Sequence, residues 1–83
     1  MKPTTFIEFY RFNPATGGFD DVLGSDGVAY LDGRWGSVRQ HREAATIGAK
    51  RGFDGYRIAR GTHTQPFYLT AAVQDILPMN VNQ

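Results

Sequence analysis

The sequence predicts a small α+β domain of two layers: an antiparallel sheet of four to five strands with one helix packed on it, in the order β-β-β-α-β-β. Three observations carry this. Segments rich in β-branched and aromatic residues recur in both halves of the chain, separated by Gly-, Asn- and Pro-containing clusters. One central stretch has a helix-capping pattern at its start and a glycine at its end. The 83 residues, 41% hydrophobic and 13% aromatic, suit one core, so 1–83 is read as a single domain.

The elements follow in chain order. Residues 4–12 (TTFIEFYRF) read as a strand. One of its faces carries Phe6, Glu8, Tyr10 and Phe12, the other Ile7, Phe9 and Arg11. Neither face is cleanly polar, so the strand is expected to be central, or its second face to be covered or used. Residues 13–18 (NPATGG) form a turn. Phe19 to Leu23 is a second strand, and Gly24-Ser25-Asp26-Gly27 is expected to close a hairpin into a third, Val28 to Leu31.

Helix is predicted from about Ser37 to Arg51. Ser37 with Gln40 three residues on makes a capping box, Gly52 suits the position after the last turn, and Lys50-Arg51 suit the negative end of the dipole. Helical spacing gathers Val38, His41, Ala44, Ala45, Gly48 and Ala49 on one side, with Ile47 at its margin. Most are small, which lets the helix approach a sheet closely. Arg39, Glu43, Thr46 and Lys50 face away, with Arg42 at an edge. After a turn at 53–55, Tyr56 to Arg60 is a strand, 61–66 a loop, and Phe67 to Thr70 another strand. Residues 71–77 fit either a short helix capped by Thr70 or a continuation of the strand; Pro78 stops both, and 79–83 look frayed.

Composition narrows the function classes. With no Cys, thiol catalysis, disulfides and thiolate zinc sites are excluded. No apolar run approaches the length of a membrane span, and the start (MKPTT) does not read as a signal peptide, so a soluble cytoplasmic domain is expected. His41 and His63 are the only histidines. A histidine pair beside an Arg can cleave RNA by acid-base chemistry, but His41 falls on the inner side of the helix, where a packed, hydrogen-bonded role is expected, and His63 lies in a polar loop. Ser25 and Ser37 read as turn and cap, and Glu8 and Glu43 are the only glutamates. No catalytic residue is assigned. The segment 20–27 (DDVLGSDG) lacks the spaced ligands and terminal Glu of a calcium loop, and no phosphate-binding glycine motif occurs. No metal, cofactor or small-molecule substrate is expected.

Charge is the informative feature. Residues 1–33 carry two basic and five acidic side chains, whereas 34–60 carry seven basic and two acidic. Arg dominates the bases, and its fork suits carboxylate and phosphate recognition. Two candidate partner-binding patches follow. The first is acidic: Asp20, Asp21 and Asp26, with Asp32, spaced to imitate phosphates toward a basic partner. The second is basic and aromatic: Arg39, Arg42, Lys50, Tyr56, Arg57 and Arg60. A surface of Arg51, Tyr56, Arg57 and Arg60, with Arg34 and Trp35, offers the stacking and phosphate contacts of a small RNA- or DNA-binding module. That alternative is weakened by a pI of only about 8.1.

The run 44–58 (AATIGAKRGFDGYRI) is a helix turning straight into a strand. With the small size, the absence of Cys and the sheet-plus-one-helix pattern, it makes the chain resemble the small accessory proteins of phages and mobile elements, anti-CRISPR proteins among them. The resemblance implies a non-enzymatic inhibitor in the bacterial host's cytosol. Its partner is then a host protein or ribonucleoprotein complex whose nucleic-acid binding or activity it blocks.

Overall fold

The computed structural model describes residues 4–73. Its centre is strand β1 (Thr5–Asn13), which pairs antiparallel on both edges. On one side lies β4 (Gly55–Arg60), with Ile7 opposite Ile58 and Phe9 opposite Tyr56. The other side is shared by β2 (Gly18–Asp21) and β3 (Val28–Leu31). The α+β expectation holds: a curled antiparallel sheet with one main helix across it.

The expected hairpin between the second and third strands does not form. β2 and β3 lie end to end along β1, with Asp21 opposite Tyr10 and Val28 opposite Glu8. Residues 22–27 therefore stand against the single residue Phe9. The physical reason is the length of β1, which offers enough ladder for both short strands. Val22 still donates to the Phe9 carbonyl before the chain leaves. Gly24 turns it at φ 82°, and a short 3-10 turn (Ser25–Gly27) brings it back. The opposite edge is broken in the same way. β5 (His63–Thr64) lies within the segment expected to be a loop, and β6 (Tyr68–Leu69) follows it. Both pair with β4, but the register slips by one residue between Ala59↔Thr64 and Tyr56↔Tyr68, around Pro66. Short, interrupted edges discourage pairing with another chain.

Helix α1 (Val38–Arg51) has the predicted ends. The Ser37 hydroxyl accepts from the Gln40 amide, and Gly52 closes the helix in the left-handed region at φ 79°. Its inner face differs from the expectation: Gln40, Ala44, Ala45 and Gly48 are buried, whereas Val38 and Ala49 are exposed. The Gln40 side chain does not complete the capping box. Its amide accepts from Gly36 N–H at 2.9 Å and donates to the Asp32 carbonyl at 3.1 Å, so burial follows from clamping the loop before the helix. The small residues let α1 sit close to the sheet; a Cβ on Gly48 would stand 3.1 Å from the Phe9 ring. The core joins Ile7, Phe9, Tyr56 and Ile58 to Ala44 and Ala45, with Leu31, Phe53 and Val73 around them. Residues 70–73 are helical, which decides that part of the 71–77 alternative. Lys2, Asp75, the rest of 74–77, Pro78 and 79–83 lie outside the described residues.

Candidate functional site

Strand parity sorts the side chains of the sheet. Thr5, Ile7, Phe9 and Arg11 of β1 point to the α1 side, and Phe6, Glu8, Tyr10 and Phe12 to the other. Paired neighbours share a face, so the second face also receives Phe19, Asp21, Tyr30, Arg57 and Leu69. No described element covers it, and it exposes Phe12, Phe19, Tyr30, Phe67 and Leu69.

Four rings on this face form one chain of contacts. Tyr10 meets Phe67 edge-on at 5.3 Å, Phe67 meets Phe19 at 4.9 Å, and Phe19 meets Phe12 at 5.4 Å. Phe67 is seated over Gly55, where any Cβ would collide with its ring. Beside the quartet, the Arg57 guanidinium bonds Glu8 Oε1 through Nε at 3.2 Å and Nη2 at 3.0 Å, and stands 5.8 Å from the Tyr10 ring. The hydrogen bond to Glu8 raises the Arg57 pKa further. Burial raises that of Tyr10, with Glu8 and Asp21 adding to the effect and Arg57 opposing it.

The acidic residues lie along the β2–β3 edge of the sheet, with Asp21 on this face and Asp20, opposite Arg11, on the α1 side. Asp20 and Asp21 are in β2, Asp26 is in the 3-10 turn, and Asp32 follows β3. All four are exposed, and among the described residues the one ion pair is Glu8–Arg57. At a rise of about 3.4 Å per residue, the ladder from Tyr10↔Asp21 to Thr5↔Leu31 spans roughly 17 Å. Asp20 accepts a hydrogen bond from Asn13 Nδ2 at 3.0 Å.

The basic and aromatic residues expected to form a second patch are not brought together. Arg39, Arg42 and Lys50 are exposed on α1. Arg57 is on the opposite, open face of the sheet, tied to Glu8. Arg60 is half-buried, opposite Thr5 on the helix side. Tyr56, expected as a surface ring, is fully buried beneath α1, because it shares a sheet face with Ile58 and Phe9. Trp35 packs against the core, and Arg51 donates to the carbonyls of Asp26 and Val28.

His41 is packed and hydrogen-bonded, as its position on the helix suggested. Its Nδ1 lies 2.7 Å from the Tyr56 hydroxyl, and the Tyr68 ring meets it edge-on at 5.0 Å. Burial lowers the His41 pKa. Burial also raises the Tyr56 pKa, with Tyr68 adding to it. His63 is exposed on β5. Among the described residues no group of three or more His, Cys, Asp or Glu side chains is placed to hold a metal ion, and no helix is long and apolar enough to cross a membrane.

Sequence reasoning missed the aromatic quartet, although two signals for it were present. A turn at 13–18 sets Phe12 opposite Phe19, and a glycine at the start of a strand marks a close approach by another group. No family model matches this chain, and no curated protein or solved structure matches it.

Proposed function

We propose that this chain is a non-enzymatic inhibitor of the anti-CRISPR type. In this reading it is encoded by a phage or mobile element, acts in the host cytosol, and docks on a basic, nucleic-acid-binding surface of a host protein or ribonucleoprotein. One observation carries the reading: an exposed run of aromatic rings borders a sheet edge with four exposed carboxylates, none of which makes an ion pair among the described residues. Clustered aromatics supply the anchors of protein interfaces, and a charged rim steers the encounter. Carboxylates spread over roughly 17 Å along an edge imitate a run of phosphates toward a basic groove. A nucleic-acid module is supported less well. It needs cations beside its stacking rings. The open face has Arg57, already bonded to Glu8, while Arg39, Arg42 and Lys50 lie on the helix layer and Tyr56 is in the core.

The test is capture from bacterial lysate on immobilised protein, with and without nuclease, followed by competition using the purified captured protein and its own nucleic acid. The expected result is a nucleic-acid-binding protein that is retained after nuclease and released from its nucleic acid by this chain. Its association should slow at high salt, and D20K/D21K/D26K and F19S should each abolish it. Capture that requires nucleic acid, or that survives both variants unchanged, sinks the reading.

A further inference from the structure

Arg11 and Asp20 are directly opposite in the β1–β2 ladder, the position at which an opposite-charge pair normally closes. They make no ion pair. The Arg11 guanidinium instead lies 5.3 Å from the Phe53 ring centroid, and among the described residues it makes no hydrogen bond. The second cation nearby is held in a similar way. Arg51 stands 5.6 Å from the Phe9 ring, and its Nη1 is fixed by the carbonyls of Asp26 at 2.9 Å and Val28 at 3.0 Å. Phe9 and Phe53 pack against each other at 5.3 Å. Two guanidinium groups are thus pre-positioned on one pair of packed, mutually tilted rings.

Both line a pocket of about 420 Å³ beneath the excursion at 22–27, whose apolar wall is Val22, Leu23 and Phe53. Asp26 stands in the lining, its carboxylate without an ion pair among the described residues, while its carbonyl holds Arg51. The helix carbonyls closest in sequence are already taken, that of Gly48 by Phe53 N–H and that of Ala49 by Gly52 N–H.

We propose that this pocket binds a phosphate monoester of nucleotide size. Arg51 has Nε and Nη2 to offer, and Arg11 has all its donors. Two forks carrying two positive charges match the three terminal oxygens and double charge of a phosphate monoester. A carboxylate has two oxygens and one charge and satisfies one fork. The rings fix the guanidiniums before binding, so little rotamer entropy is lost on capture. The apolar wall takes a flat organic moiety, and the Asp26 carboxylate accepts from its hydroxyl or amino groups while repelling a second phosphate. The site faces the helix side of the sheet, away from the aromatic quartet, and shares Asp26 with the acidic edge proposed above for docking.

The test is two-dimensional NMR of the labelled chain titrated at low ionic strength with inorganic phosphate, adenosine monophosphate and adenosine. Saturable shifts are expected at the Arg11 and Arg51 side-chain N–H groups and at the amides of 22–26 and 53. The monophosphate should bind more tightly than phosphate alone, and adenosine should not bind. R11Q, at an exposed side chain, should weaken the monophosphate at least tenfold with the melting curve unchanged. R51K, which keeps the charge but loses the fork, should weaken it several-fold. The proposal fails if R11Q binds as well as the parent, if adenosine binds equally, if the shifts do not saturate, or if they centre on Arg39, Arg42 and Lys50.

Discussion

The hydroxyl of Tyr56 and Nδ1 of His41 lie 2.7 Å apart, joining the central sheet to the first half of α1. A buried hydrogen bond of this kind is modest in net worth but costly to leave half made. Tyr56→Phe keeps the ring packing and leaves the His41 nitrogen without its partner. It should lower stability by about 1–3 kcal/mol in urea denaturation. An unchanged midpoint would show that water replaces the hydroxyl at no cost.

Burial of the same imidazole makes stability depend on pH. Burial holds the His41 pKa below its ordinary 6.5, so the unfolded chain takes up a proton at a pH where the folded chain does not. The contribution is fully present above 6.5 and is lost as pH falls from there toward the lowered folded value. Urea melts at pH 8 and pH 5.5 should therefore differ, with the acid curve weaker. His41→Asn should shrink that difference. If it leaves the difference intact, the drop belongs to other groups.

Gln40 joins the segment before α1 to the helix itself. Its amide oxygen accepts from Gly36 and its nitrogen donates to Asp32, and the side chain is almost fully buried. Gln40→Ala removes both bonds, strands a backbone donor and an acceptor, and opens a cavity. A loss of about 2–4 kcal/mol is expected. Hydrogen exchange at the Gly36 amide should quicken beyond what the global loss explains; equal quickening of all amides would deny the clamp.

Sequence patterns resolved the helix because its ends are local. Ser37 and Gly52 each act within a turn of the chain, and each occupies its expected cap position. They did not say which helix residues would be buried. Helical spacing put Val38 on the inner side, and the loop's need for hydrogen bonds turns the buried face toward Gln40 instead. For the strands, period-two parity puts Tyr56 on a face with Ile58 and Arg57 with Ala59, but parity does not tell which face a helix will cover. That choice put Tyr56 in the core and Arg57 in the open, dividing residues the linear charge map had joined. The acidic edge was legible as composition. Its neighbour, the aromatic quartet, depends on the seating of Phe67 over Gly55, a contact between distant segments that no short pattern encodes.

Glu8 and Arg57 are directly opposite on β1 and β4 and pair at 3.0 Å, but their side chains remain 35% and 37% exposed. Water and salt screen such a pair, so a double-mutant cycle with Glu8→Gln and Arg57→Gln should give a coupling below about 1 kcal/mol, shrinking in high salt. A larger, salt-insensitive coupling would mean that the pair is effectively desolvated on the open face.

Gly55 and Phe67 set the shape of that face. A Cβ at position 55 would enter the Phe67 ring, standing 2.7 Å from Cε2 and closer still to Cζ. Gly55 is buried between β1 and β6, so the backbone has little freedom to give way. The ring must leave instead, and with it go the contacts to Tyr10 and Phe19. Gly55→Ala should cost about 1–3 kcal/mol by overpacking. Phe67→Ala should also destabilise, through the loss of half-exposed aromatic area. The double variant has no ring to displace, so it should lose less than the two single losses added together, with a coupling of about 1 kcal/mol or more in thermal or urea melts. Strict additivity would mean that a Cβ at position 55 is accommodated without displacing the Phe67 ring, and the aromatic quartet would then lose its structural support.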